Sequence, residues 1–225
     1  MTDKKRAAVI MGITVLSCAV MAVIDGFIEP PYAVKSAFKL VMFVALPLLY
    51  MVAAGDSGFR RRLIPKKKRL GASLAVGLAV YAFIVGGFFL LRDHIDFSAV
   101  TASLAGGEGV TRDNFIFVAV YISFINSFCE ELMFRGFAFG GLRGVVSGRM
   151  AYAFSSVTFA AYHIAIMSGW FSPVIFALMM VGLFAGGMIF DFIDDGAESV
   201  YPSWVIHIFA NLGINTVGLL LFGII

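Results

Sequence analysis

The chain has 225 residues, 60% of them hydrophobic, with a mean hydropathy of +0.95 and a formal net charge of +3. Only 14% of the residues are charged, against about 25% in soluble domains. An ordinary soluble globular domain is excluded, and a net charge this small gives no sign of a nucleic-acid partner.

Apolar stretches of about the 20 residues that a helix needs to cross a bilayer recur along the sequence. Seven are predicted, at 7–24, 36–54, 71–91, 114–134, 149–168, 173–190 and 202–224. The first follows the basic start MTDKKR. It is long for a signal peptide and no small-residue cleavage site follows it, so an uncleaved first span is expected. The expected fold is all-α: a polytopic transmembrane helical bundle of about seven spans, with residues 1–225 forming a single integral-membrane domain.

Orientation follows from Lys and Arg. Lys4, Lys5, Arg6, Arg60 to Arg62, Lys66 to Arg69, Arg135, Arg143 and Arg149 fall on one predicted side; only Lys35, Lys39, Arg92 and Arg112 fall on the other. The N-terminus is therefore expected in the cytoplasm, in a multi-pass protein of the cytoplasmic membrane. The basic loop 60–69 reads as a topology anchor, with anionic lipid headgroups as a second use. EPPYAVK (29–35) and the loop 92–114 are expected outside. The acidic DFIDDGAES (191–199) is expected inside as a solvated loop, since its spacing matches no EF-hand. Gly136, Gly140, Gly144 and Gly148 recur every four residues, as Gly182 and Gly186 do. On a helix this is a stripe for close packing; in a loop the spacing is accidental. Cys18 and Cys129 suggest neither a disulfide framework nor a cysteine metal site.

Few ionisable groups remain within the predicted spans: Glu130, Glu131 and Arg135 in the fourth, His163 in the fifth and His207 in the seventh, with Asn211 as a polar companion. Such groups cost about 2.5–3.5 kcal/mol each at a helix centre and mark functional sites by default. Glu131 and Arg135 are i,i+4 and can pair. Glu130, rotated by about 100°, is left free to face His163. A carboxylate out of water suits a general base. An imidazole can orient a water and pass a proton to a leaving amine. His207 and Asn211, also i,i+4, bring N–H donors suited to an oxyanion. The set adds up to amide hydrolysis by activated water within the membrane.

EELMFR (Glu130–Arg135), FAAYH (Phe159–His163) and HIFAN (His207–Asn211) together resemble the EExxxR, FxxxH and HxxxN motifs of the CPBP (Abi) family of intramembrane proteases. That family includes the CAAX prenyl endopeptidases of the Ras-converting type. The likeness covers about residues 110–220. It implies that Glu130 and His163 activate water, that His207 and Asn211 form the oxyanion site, and that Glu131, Arg135 and Phe159 support the architecture. It also implies a site open to the cytoplasm and a membrane-embedded peptide or lipidated protein as substrate. Family members have been classed both as metalloproteases and as glutamate-type enzymes. Glu130, His163 and His207 are also a donor set for zinc; HExxH is absent, and Asn211 is a better amide donor than zinc ligand, which favours the metal-free reading. Two other classes compete. A non-catalytic immunity or scaffold protein would be free to lose Glu130 or His163. A proton-coupled transporter would commonly show an inverted repeat, and none is visible.

Overall fold

A bilayer core offers no water to an exposed N–H or C=O, so a chain this apolar closes its backbone hydrogen bonds within helices. The computed structural model describes residues 2–106 and 109–225. Met1, and Gly107 and Glu108 of the predicted external loop 92–114, lie outside the described residues. In chain order the helices are α1 (Asp3–Ile28), α2 (Tyr32–Ala54), α3 (Ser57–Arg62), α4 (Leu70–Leu91), α5 (Ser98–Gly106), α6 (Phe115–Leu142), α7 (Gly148–Met167), α8 (Pro173–Ala197) and α9 (Tyr201–Leu221). Seven of them, all but α3 and α5, are long and apolar enough to cross a membrane. Their outer faces carry exposed Phe27, Val52, Phe83, Leu90 and Phe117, side chains that lipid solvates. The protein is an integral-membrane helical bundle.

The predicted spans fall on these helices; the first, expected at 7–24, runs from Asp3 to Ile28, and three further ends differ by four residues or more. The fourth and sixth were expected to stop at 134 and 190; they run on to Leu142 and Ala197. The second begins at Tyr32 rather than at 36, which draws Lys35 into the helix beside Lys39. Charged residues set the predicted limits, and in each case the charge is paired inside the bundle. The segment 191–199 is accordingly not a solvated loop. Asp191 and Asp194 are fully buried on the last turns of α8. Asp195 faces the basic end of the bundle, where the Arg143 guanidinium grips it through two bonds of 3.0 and 2.8 Å. That grip holds Arg143 above its ordinary pKa. Glu198, in the left-handed region at φ 54°, lies past the helix and pairs with Lys66. The pairing lowers its carboxyl pKa.

Helix α6 is the centre of the bundle. Residues 129–139 are all buried, wrapped by Ile10 and Met21 of α1, Phe43 and Met51 of α2, Phe59 of α3, and Phe159 and Tyr162 of α7. Helix α4 stands to one side and packs on α9. There Gly77 lies under Phe209, so close that a Cβ would stand 2.6 Å from the ring. Four stretches are widened π turns, Ile24–Ile28, Leu40–Ala45, Ile122–Asn126 and Leu132–Phe139. Such turns are frequent at functional sites, and here each contains or adjoins a polar residue that is buried, Lys39 and Arg135, or half-buried, Asp25 and Asn126.

The four-residue glycine spacing of α6 is not one stripe. Gly136 and Gly140 admit Phe59 and Arg62 to the helix surface, but the helix ends at Leu142 and Gly144 turns the chain at φ +87°. Gly182 and Gly186 face open space. Gly187 is the packed one, where a Cβ would stand 3.0 Å from Ser156 Cα. Gly187→Val is therefore expected to push α7 from α8 and cost about 1–3 kcal/mol. Gly186→Val should stay within about 0.5 kcal/mol of the parent. Unfolding in detergent micelles measures both.

Candidate active site

Ser127–Glu131 is a short α-helical turn between the two widened segments of α6. It sets Asn126 and Glu130 four residues apart on one face, and the Asn126 amide donates to Glu130 Oε1 at 3.0 Å. The same oxygen takes a second donor, the ammonium of Lys39 from α2, at 3.1 Å. Lys39 also bonds Asn126 Oδ1 and rests over the Tyr162 ring, 5.0 Å from its centroid. Glu130 is 3% exposed, so a cation beside it matters: an unpaired charge this deep is costly. Oε1 is thus tied, and Oε2 is the oxygen left for chemistry.

Oε2 lies 3.9 Å from His163 Nε2 and 3.7 Å from His207 Nε2. The far side of each ring settles its tautomer. His163 Nδ1 lies 2.8 Å from the Phe159 carbonyl, one turn back on α7. A carbonyl only accepts, so Nδ1 carries the hydrogen. His207 Nδ1 lies 2.7 Å from Glu131 Oε1 and is assigned in the same way. In its neutral form each imidazole then turns a bare Nε2 toward Glu130. Three acceptors converge at 3.7 and 3.9 Å, a setting suited to a bridging water whose two hydrogens serve two of them.

Behind this group is a second, drier one. Glu131 Oε2 and Asp191 Oδ1 lie 3.4 and 3.7 Å from Arg135 Nε. Ser155 and Ser156 of α7 donate to Asp191 at 3.0 and 3.2 Å. Ser203 of α9 bridges Glu131 and Asp194. Arg135 is fully buried. Its guanidinium lies 4.1 Å from the Phe159 ring centroid and 4.9 Å from that of Phe190, and the rings' negative faces help hold its charge. Phe159 also meets His163 edge-on at 4.9 Å and His207 at 6.0 Å, so this one ring joins all three motifs.

The expected residues therefore largely converge: Glu130, His163 and His207 on one locus, Glu131, Arg135 and Phe159 beneath it. Asn211 stands one turn past His207, and one of its amide hydrogens goes to the Ile122 carbonyl at 3.1 Å; that bond is not directed at Glu130. Lys39, Asn126, Asp191, Asp194 and Ser203 were missed. The Lys39 signal was available: a lysine beside an apolar run, four residues after another, Lys35. Counting both among the outside charges hid it. The two aspartates were lost with the segment taken as a solvated loop.

Two histidines and a glutamate are the donor types of a zinc centre, but the fit is poor. Among the described residues no group of three or more His, Cys, Asp or Glu is disposed to hold a metal ion. Glu130 Oε1 is already engaged by an ammonium, which would repel a dication.

Residues 112–213 match the family model described as Type II CAAX prenyl endopeptidase Rce1-like. Over those residues the chain is similar to that family. The Rce1-like segment contains all three motifs and the helix ends that carry Asp191, Asp194 and Ser203. It excludes α1 to α5, and so Lys39. Comparisons with curated proteins and with solved structures return no match.

Proposed function

We propose that the protein is an intramembrane endopeptidase that cuts membrane-held peptides, lipidated CAAX-like C-termini among them, with a water activated by Glu130. One observation carries the reading. Glu130 presents a single untied carboxylate oxygen to two bare imidazole nitrogens, while its other oxygen is fixed by Lys39 and Asn126.

In this reading a water bound among Oε2 and the two Nε2 atoms gives a proton to Glu130 as its oxygen attacks the scissile carbonyl. His163, steered by the Phe159 carbonyl, relays that proton to the leaving amine. His207 stays neutral with Nδ1–H on Glu131 and accepts the water's second hydrogen at Nε2, and the second amide hydrogen of Asn211 is the donor left for the oxyanion. The Rce1-like segment argues for a prenylated or otherwise membrane-anchored substrate and for the bilayer as its medium. The residue roles rest on geometry and on the motif likeness.

The test is cleavage by the purified protein in lipid vesicles, over a panel of prenylated and transmembrane peptides in isotope-labelled water. Mass spectrometry should find the label in one new carboxyl terminus. A panel that includes prenylated CAAX peptides and is left intact by folded protein would favour the non-catalytic reading. Lys39 gives a sharper check. Lys39→Met is expected to lower the cleavage rate about 100-fold, within the range for general-base catalysis, because Glu130 loses its counter-charge and one of the two bonds that aim it. Lys39→Arg, which keeps the charge, should retain more. Wild-type rates in Lys39→Met would remove Lys39 from the site.

A further inference from the structure

The bridge between Glu131 and Asp194 has one hydrogen too few. Ser203 Oγ lies 2.6 Å from Glu131 Oε2, 2.6 Å from Asp194 Oδ2 and 3.0 Å from the Val200 carbonyl. A hydroxyl has one hydrogen and two lone pairs. If both carboxylates were ionised, all three neighbours would be acceptors competing for that hydrogen. One 2.6 Å contact would then press an anionic oxygen against a hydroxyl lone pair, in a place where Glu131, Asp194 and Ser203 are all fully buried. A second proton removes the conflict, and its position follows from the surroundings. Glu131 has the cation, with Arg135 Nε at 3.4 Å, and accepts His207 Nδ1–H on its other oxygen. Asp194 has a backbone N–H, that of Ser203, on Oδ1 at 3.0 Å, and among the described residues its Oδ2 bonds the hydroxyl alone.

We infer that Asp194 is a protonated carboxyl and that it positions His207 through Ser203 and Glu131. The hydrogen bonds then run in one direction: Asp194 Oδ2–H to Ser203 Oγ, Ser203 O–H to Glu131 Oε2, and His207 Nδ1–H to Glu131 Oε1. Glu131 is held at both oxygens, which fixes the imidazole plane and keeps Nε2 bare toward Glu130. Asp194 and Ser203 are positioning residues; neither reaches the Glu130 locus. Their place in turnover rests on the proteolytic reading above, whereas the location of the proton does not.

The groups that bear on Asp194 are Glu131 and Arg135 of α6, Ser203 of α9, Arg62 of α3, and Asp191 and Asp195 on its own helix. Arg62 is engaged elsewhere, stacked on Phe139 and 4.0 Å from Asp195. Arg135 is shared between Glu131 and Asp191. Three buried carboxyls thus share one fully buried arginine, which is a further reason for one of them to be neutral.

Infrared difference spectra of the protein in lipid test the proton without any substrate. Wild type minus Asp194→Asn should show loss of a carboxylic-acid C=O band, and Ser203→Ala should shift that band without abolishing it. Loss of carboxylate bands instead would overturn the proposal. Nitrogen NMR of labelled imidazole tests the positioning. His207 should be a single Nδ1–H tautomer in wild type and in Asp194→Asn, and a mixture in Ser203→Ala; an unmixed tautomer in Ser203→Ala would overturn that part.

With an active preparation and a prenylated peptide as probe, Ser203→Ala should lower kcat about 10–100-fold, the scale seen when the group orienting a functional histidine is removed, at unchanged KM. Asp194→Asn, whose amide donates at every pH, should keep more activity than Asp194→Ala and should not lose it as the pH is raised. An alkaline limb shared by wild type and Asp194→Asn would overturn the role of that proton in turnover. A wild type that cuts nothing unseats the protease reading and leaves the spectra to judge Asp194.

Discussion

Glu130→Gln is expected to lower peptide cleavage by about 10²–10⁴-fold, the span that a positioned general base contributes, while the bundle stays folded. The substitution keeps the shape of the side chain. Its carbonyl oxygen still accepts from Lys39 and Asn126, which bond the corresponding oxygen of the glutamate. The change falls on the other atom. An NH₂ replaces Oε2 and points hydrogens at the two imidazole nitrogens, so the locus that would take a proton from water instead fills those nitrogens. Lys39 is left without its countercharge, but it keeps Asn126 and the Tyr162 ring, and about 1–2 kcal/mol of stability is the expected loss. Cleavage and unfolding are to be measured on the same preparation. A variant that unfolds normally and cuts as fast as the parent would remove Glu130 from the chemistry.

The fold was legible in the sequence because hydropathy reports what the bilayer demands. All seven spanning helices fall on predicted spans, and the errors are confined to ends where a charge was read as the exit from the membrane. Those charges mark the polar interior instead. Asp191, Asp194, Lys35 and Lys39 were misplaced for one shared reason: hydropathy cannot tell a charge that meets water from one that meets a partner on another helix. Glu130, Glu131, His163 and His207 escaped that error because they lie inside the predicted spans, and Arg135, one residue past the predicted end at 134, was recovered by its i,i+4 spacing from Glu131.

The i,i+4 pairings were legible for a related reason. A helix fixes which residues share a face, so Glu131 with Arg135 and Phe159 with His163 were readable from spacing alone. What spacing cannot give is the contact between helices. The free face of Glu130 was expected to meet His163; that it meets His207 as closely, and Lys39 more closely still, depends on how α2, α7 and α9 settle on α6. The bond between His207 and Glu131 is another such contact. It changes the reading of His207 from a neutral donor to a ring whose only neutral hydrogen is already engaged.

Arg135→Met should be the most damaging single substitution to the fold, with an expected loss of about 3–5 kcal/mol, the usual cost of removing one partner from a buried charge group. Methionine fills much of the same volume between Phe159 and Phe190, so a cavity is not the main cause. The cost is electrostatic. Glu131 and Asp191 would lose the cation they share, and neither has a route to water, since both are fully buried. Arg135→Lys keeps a charge but gives up the flat guanidinium that lies 4.1 Å from the Phe159 centroid, and should fall between the two. Adding Asp191→Asn to Arg135→Met removes one of the stranded carboxylates and should recover part of the loss, giving a coupling of about 0.5–3 kcal/mol in the double-mutant cycle. Unfolding midpoints of the four proteins in micelles measure it. Additive losses, or an Arg135→Met midpoint within about 0.5 kcal/mol of the parent, would mean that Arg135 holds its place by packing alone and that the buried carboxylates do not depend on its charge.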